Sequence, residues 1–173
     1  MTAIAITGTP GVGKTTLGTL VAKRPGWQVV DVRELARQQG AVVGRDEGQQ
    51  EDVIDADALT IPDHRGTLVI EGHLAHHLDV DVAWVVRCDP RVLRGRLAAR
   101  GYSKEKIEDN LEAEALDLVL QEALETVDRV IQRDGTRRSP TELLASFDDA
   151  MGKRLKAHDL EPVDWSDQLP LEG

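Results

Sequence analysis

The octapeptide Gly8-Thr9-Pro10-Gly11-Val12-Gly13-Lys14-Thr15 satisfies the spacing G-x-x-x-x-G-K-[ST], whose chemistry is the capture of a polyphosphate. Glycines let the backbone wrap closely around phosphate and turn its N–H groups inward. The helix that begins after this loop would point the positive end of its dipole at the anion. Lys14 adds a mobile charge for the β- and γ-phosphates, and the Thr15 hydroxyl can ligate Mg²⁺. The alternative is a glycine-rich turn with a surface lysine. Against it, the loop follows a strand-like run and precedes a helix-like one, the context the motif requires. The chain is expected to bind a nucleoside triphosphate with Mg²⁺.

A second chemical stretch is Val69-Ile70-Glu71-Gly72-His73-Leu74-Ala75-His76-His77. Glu71, His73, His76 and His77 all carry ligand atoms, which invites a zinc reading. Tetrahedral zinc needs ligands that converge, usually i, i+4 on a helix or in spaced pairs, and a strand-end acid with neighbouring histidines enforces no such convergence. With a phosphate loop upstream, Glu71 reads better as an acid projecting past the carboxyl edge of a sheet, holding the Mg²⁺ shell through water. His73 is the candidate to orient or deprotonate an attacking water, or to couple the metal shell to a lid. His76 and His77 are left as surface or helix-start residues without a task.

The third is Arg91-Val92-Leu93-Arg94-Gly95-Arg96-Leu97-Ala98-Ala99-Arg100-Gly101-Tyr102-Ser103, four arginines ahead of a Gly-Tyr break. A planar, permanently charged fork recognises phosphate with fixed geometry. A short lid here could deliver Arg100 to the phosphates and shut out water. The competing reading is a solvated helix face whose arginines pair with nearby acids.

These groups need a scaffold. Ala3 to Thr7, Trp27 to Val30, Thr67 to Ile70, Val82 to Val86 and Arg129 to Gln132 are five strand-length runs, nearly continuous in Val and Ile. Such runs suit strands buried on both faces, and the helix-length segments between them imply right-handed crossovers and a parallel sheet. Thr15 to Lys23 is the first helix. Ser103 to Thr126 is expected as one long helix, N-capped by Ser103, without a full capping box because Lys106 holds the third position. A last helix follows Ser139-Pro140. The polar stretch from Gln38 to Asp63 interrupts the rhythm, and the acidic tail from Asp159 to Gly173 is expected to fray.

At 173 residues the chain suits one domain. Its apolar runs are strand-length, so no membrane span is expected, and the N-terminus reads as a first strand instead of a signal peptide. The single cysteine, Cys88, excludes an internal disulfide and suits the cytoplasm. A net charge of −10 argues against broad nucleic-acid binding, and scarce aromatics argue against a stacking platform for single strands. The acidity fits a high-salt milieu and an ordinary acidic cytosolic protein equally well.

Taken together, GTPGVGKTTLG, VIEGHLAHH and RGYSKEKIEDNLEAEALD resemble the small nuclear-type adenylate kinases, from Ile4 to about Ile131. That family's archaeal and eukaryotic members are also linked to maturation of the small ribosomal subunit. The resemblance implies a P-loop nucleoside-monophosphate-kinase fold: a three-layer α/β/α domain with a five-stranded parallel sheet and a short lid, here about residues 99–109. It implies that Gly11, Gly13, Lys14, Thr15 and Thr16 bind ATP, with Arg100 the lid arginine. Lys14, Glu71, His73 and Arg100 would be catalytic, and Thr15 and Glu71 would serve Mg²⁺. Many members carry aspartate where Glu71 stands. The monophosphate-binding segment would run over about residues 31–54, with Glu34-Leu35-Ala36-Arg37 placing Arg37 near the AMP phosphate. Asp46-Glu47 and Val53-Ile54-Asp55-x-Asp57 follow the family pattern, whereas Gly48 and Gln49 depart from it. Asp134-Gly135-Thr136 would stand at the adenine. The implied activity is ATP + AMP = 2 ADP, with ATPase activity and a small-subunit ribosomal protein as partner. Two alternatives share the motifs: an ATPase switch in ribosome assembly with incidental kinase activity, and a kinase for another small acceptor.

Overall fold

A computed structural model describes residues 1–46, 51–152 and 158–168. In chain order its elements are β1 (Thr2–Thr7), α1 (Lys14–Val21), β2 (Trp27–Asp31), α2 (Val32–Gln39), β3 (Val42–Asp46), β4 (Glu51–Ile54), β5 (Thr67–Glu71), β6 (Val82–Arg87), α3 (Pro90–Ala99), α4 (Lys104–Ala115), α5 (Leu118–Thr126), β7 (Val130–Asp134), α6 (Pro140–Gly152) and β8 (Asp159–Leu160). A 3-10 turn spans Ala75–His77.

The main sheet is parallel, with strand order β2-β5-β1-β6-β7-β8. Alternate residues of each central strand enter opposite cores. Ala3, Ala5, Leu68, Ile70, Ala83 and Val85 pack with α2 and α5. Ile4, Ile6, Val69, Trp84 and Val86 pack with α1, α3, α4 and α6. Burial on both faces is why these strands are apolar throughout, and the result is the three-layer P-loop kinase architecture. β1 lies centrally, so the loop that leaves its carboxyl end sits over the middle of the sheet.

Three expectations are corrected. The sheet has six strands instead of five, because Asp159 and Leu160 of the acidic tail pair with Ile131 and Gln132. That segment is anchored further by Arg133, which donates to the Asp159 carboxylate at 2.5 Å, and by Trp165, buried beneath Arg87. Only part of the expected fraying tail falls outside the described residues.

The stretch from Ser103 to Thr126 is two helices, broken at Asp117, the one non-glycine residue with positive φ (58°) among the described residues. Aspartate tolerates this conformation better than most residues, and it sets the carboxylate against the Arg87 guanidinium. The Ser103 cap forms as expected, accepting from the Lys106 amide at 3.2 Å. The polar insertion carries the antiparallel pair β3-β4, apart from the main sheet; Glu47, Gly48 and Gln49 lie outside the described residues.

Candidate active site

The phosphate loop connects β1 to α1. Gly13, at φ 114°, is the N-cap of α1, and no side chain caps that end. The first amides of a helix have no partners within it, so here they are left to a ligand. Lys14 folds back over the loop, its Nζ donating to the carbonyls of Gly8 (2.7 Å) and Thr9 (2.9 Å). Burial lowers its pKa to about 8, against the pull of Glu71 and Glu114.

Glu71 ends β5, in register with Ile6 of β1 and with Asp31, the last residue of β2. Glu71 is 6% exposed, and its Oε2 is buried without a hydrogen-bond partner. Burial pushes its pKa up; the Thr15 hydroxyl opposes the shift, Asp31 reinforces it, and Lys14 and Arg33 oppose it. A buried carboxylate oxygen without a protein donor is suited to a cation partner. Oxygen donors from an acid and a threonine suit the hard ion Mg²⁺. The residues present therefore fit Mg²⁺, with Thr15 and Glu71 as its holders, directly or through water.

Gly72 makes the geometry after Glu71 possible. At φ 147° it turns the chain against α2, where a Cβ would stand 2.2 Å from Val32 Cγ1. No side chain fits there, and the turn returns His73 to the phosphate loop. Pro10, Lys14, Thr15, Glu71, His73 and Arg100 line one cleft, joined by Asp31, Arg33 and Tyr102. Burial, with Lys14 and Arg33, lowers the His73 pKa to about 4, so its imidazole is neutral at neutral pH. An adjoining cavity of about 450 Å³ shares Gly11, Gly13, Thr16 and Arg100 and continues over Leu17, Ala99, Gly135, Pro140 and Leu143. Its apolar walls suit a planar base. Gly135 belongs to the loop expected at the adenine, and that loop is pinned by Gly135 N donating to Arg87 O (2.8 Å) and Asp89 N to Thr136 Oγ1 (2.8 Å).

The four arginines divide between the two readings offered for them. Arg91 pairs with Asp89 and Arg94 with Glu108 on exposed faces, and Arg96 donates to Thr136 O at 3.1 Å. Arg100, the C-cap of α3, has no ion pair among the described residues and lines both cavities. The segment expected to form a lid is thus, from residue 99 to 104, a tight corner between α3 and α4.

Arg37 stands elsewhere. Its guanidinium is forked onto Asp52 of β4 (2.8 and 3.1 Å), outside the lining of the phosphate cleft. Arg33 is the cationic residue of α2 that reaches the cleft, and sequence reasoning missed it. Asp31, whose carboxylate caps α2 by accepting from the Arg33 and Glu34 amides, sets its position. Read from sequence, Asp31 followed by a helix start was the available signal.

His77 stays at the surface as expected, whereas His76 parts from expectation. His76 is fully buried, its Nδ1 2.9 Å from Thr7 Oγ1 and its Nε2 3.1 Å from Glu122 Oε2. The short 3-10 turn carries it inward beneath β1.

A strand-borne phosphate loop, an acid ending the adjacent strand and an arginine of the α3–α4 corner over the same cleft define a P-loop kinase. Residues 4–117 match the family described as AAA domain. A Thermococcus gammatolerans protein named "Putative adenylate kinase" is 40% identical over 168 residues, 95% of this chain and 93% of its own. A Methanothermobacter thermautotrophicus protein of the same name is 46% identical over 152 residues, covering 86% and 88%. The solved deoxyadenosine kinase from M. mycoides shares the fold, with a TM-score of 0.54 at 14% identity over 88% of this chain and all of that one. The chain belongs to the AAA domain family and, within it, to the adenylate kinase-like group formed with these archaeal proteins.

Proposed function

We propose that the protein is a cytoplasmic adenylate kinase that transfers the ATP γ-phosphate to AMP, giving two ADP. The observation that carries this reading is the cleft in which Lys14, Arg33, Arg100 and the Glu71 carboxylate, its Oε2 without a partner, converge beside an apolar cavity. The names of its archaeal relatives support the acceptor. Phosphoryl transfer between nucleotides is mainly positioning and charge stabilisation. The attacking oxygen belongs to a phosphate with second pKa about 6, already anionic at neutral pH, so no general base is required. Lys14 and the α1 amides hold the β- and γ-phosphates. Arg100 and Arg33 neutralise charge on the transferring group and its acceptor, and Arg37 stands one turn along α2 for the far side of AMP. Mg²⁺, when bound, would neutralise phosphate charge and align the β- and γ-oxygens, with Thr15 and Glu71 holding its shell.

ADP formation from ATP, followed with and without AMP, CMP, UMP and GMP, tests this. A large dependence on AMP alone is expected; dependence on another monophosphate reassigns the acceptor, and none at all removes the nucleoside-monophosphate kinase reading.

A second activity rests on His73, a neutral imidazole in the same cleft. Hydrolysis requires water to be oriented and relieved of a proton; a neutral imidazole can accept the hydrogen bond that orients the water, and its lowered pKa makes orienting its larger part. His73→Ala is expected to lower ATPase activity about 10²-fold while kinase activity persists; unchanged hydrolysis removes the role. The small-subunit ribosomal partner rests on the family resemblance, with the acidic surface as complement to a basic protein. Stimulation of AMP-independent ADP release by such a protein would favour the switch reading.

A further inference from the structure

The histidines that found no place in the phosphate cleft come together behind it. His76 and His77, on the 3-10 turn, face Glu122 of α5, and one ligand atom from each lies within 4.8 Å of the others. His76 Nε2 stands 3.1 Å from Glu122 Oε2, and His77 Nε2 4.0 Å from the same oxygen. In a tetrahedral site with bonds near 2.0–2.1 Å, ligand atoms lie about 3.3 Å apart, so a small rotation of the exposed His77 and Glu122 closes the set.

We propose that His76, His77 and Glu122 form a binding site for a borderline divalent cation of the zinc type, separate from the magnesium site of the phosphate cleft. Two imidazole nitrogens with one carboxylate oxygen select zinc and its first-row neighbours over magnesium. His76 is fully buried while the other two are accessible, so a cation enters from solvent and keeps water as its fourth ligand.

The surroundings of His76 are built for the required tautomer. The Thr7 hydroxyl stands 2.9 Å from His76 Nδ1 and 3.3 Å from the His73 carbonyl. With the hydroxyl proton on Nδ1, Nε2–H donates to Glu122 and the cluster is an ordinary hydrogen-bonded pair. With the hydroxyl donating to the His73 carbonyl, Nδ1–H donates to Thr7 Oγ1 and the Nε2 lone pair points at the carboxylate. Two acceptors facing each other need a cation between them. A proton there would make a charged imidazolium at a fully buried ring. A ligating histidine whose other nitrogen donates to a fixed acceptor is the usual form of a metal site. The turn backbone is also fixed, since Thr126 Oγ1 donates to the His76 carbonyl at 2.9 Å. Cation binding would select the tautomer that tightens the His73 carbonyl, so the site touches the backbone of the cleft.

The test uses the full chain, treated with chelator and free of nucleotide. Zn²⁺ binding is followed by equilibrium dialysis, and Co²⁺ binding by its visible d–d bands. One equivalent per chain is expected, weakened about tenfold or more by His77→Ala and by Glu122→Ala. Both side chains are accessible, so these variants should fold, which their thermal midpoints verify. Binding should survive Glu71→Gln, and zinc should hold the His76 ring in its Nδ1–H form by long-range ¹H–¹⁵N spectra. Equal binding by the wild type and the His77→Ala/Glu122→Ala double variant would overturn the site, as would its loss on Glu71→Gln.

Discussion

Two clusters of charge flank the phosphate loop, and they are finished differently. Behind the loop, Arg87 Nε donates to Glu114 Oε1 (2.8 Å), its Nη1 to Gln132 Oε1 (2.8 Å), and its Nη2 to the Glu114 carbonyl (2.7 Å) and to Asp117. Glu114 also accepts from the Cys88 amide and from the Thr9 hydroxyl of the loop itself. In front of it, Lys14 has only loop carbonyls for partners, Glu71 Oε2 has none, and Arg100 has no ion pair among the described residues. Each buried ion costs several kcal/mol unless its partners repay it. The rear cluster is repaid by the protein; the front cluster presents charge that phosphate and a cation would satisfy. Satisfied charge marks the support of the site, and unsatisfied charge marks the site.

The largest effect expected from breaking this contrast is at the front. Lys14→Ala should lower kcat/KM by about 10³-fold or more, about 4 kcal/mol of transition-state stabilisation. The thermal midpoint should not fall, because burial of the ammonium opposes folding at neutral pH. A variant that loses stability along with activity would make Lys14 part of the scaffold.

At the rear the reverse is expected. Glu114→Ala strands the Arg87 guanidinium and should cost about 3–5 kcal/mol in denaturant unfolding. Activity per folded molecule should fall far less than in Lys14→Ala. Intact stability with crippled turnover would move Glu114 into the catalytic machinery.

The front cluster was the more legible in sequence, and the reason is physical. Gly11, Gly13, Lys14 and Thr15 act through a local loop whose spacing along the chain equals its spacing in space, and Glu71 is placed by the strand that it ends. The rear cluster joins Thr9, Arg87, Glu114, Asp117 and Gln132 from five segments, and no local pattern encodes that convergence. Glu114 closes the distinctive RGYSKEKIEDNLEAE run, yet nothing in the run says that its acid caps the phosphate loop from behind. The same limit hid the break at Asp117, where a tertiary bond to Arg87 overrides a continuous apolar stripe, and the burial of His76, set by a turn with no periodicity. Strand β8 was missed because two residues of an acidic tail carry too little pattern to register as a strand.

Glu71→Gln sharpens the comparison with a smaller, two-sided effect. Burial holds the folded carboxyl above its unfolded pKa. The folded state therefore binds more protons between the two values, and stability falls as pH rises through that window. At neutral pH the charge is a liability that an amide relieves, so stability should rise by about 1 kcal/mol. Activity should fall about 10²-fold as the shell of the divalent cation loosens. The gain should vanish once pH drops below the unfolded carboxyl value, where wild type and variant are both neutral. A loss of stability at neutral pH would mean that Glu71 is repaid within the fold after all.

Arg37 belongs to neither cluster, which makes its replacement the finest test. Its pair with Asp52 is exposed, and exposed pairs contribute little, so Arg37→Ala should cost under about 0.5 kcal/mol of stability. If the guanidinium leaves Asp52 for the monophosphate, KM for AMP should rise several-fold while KM for ATP holds. Arg33→Ala, in contrast, should lower kcat, because Arg33 already faces the phosphate loop while Arg37 must turn toward its substrate. Matching KM effects for both nucleotides in Arg37→Ala would leave Arg33 as the only arginine of α2 with a part in the acceptor site.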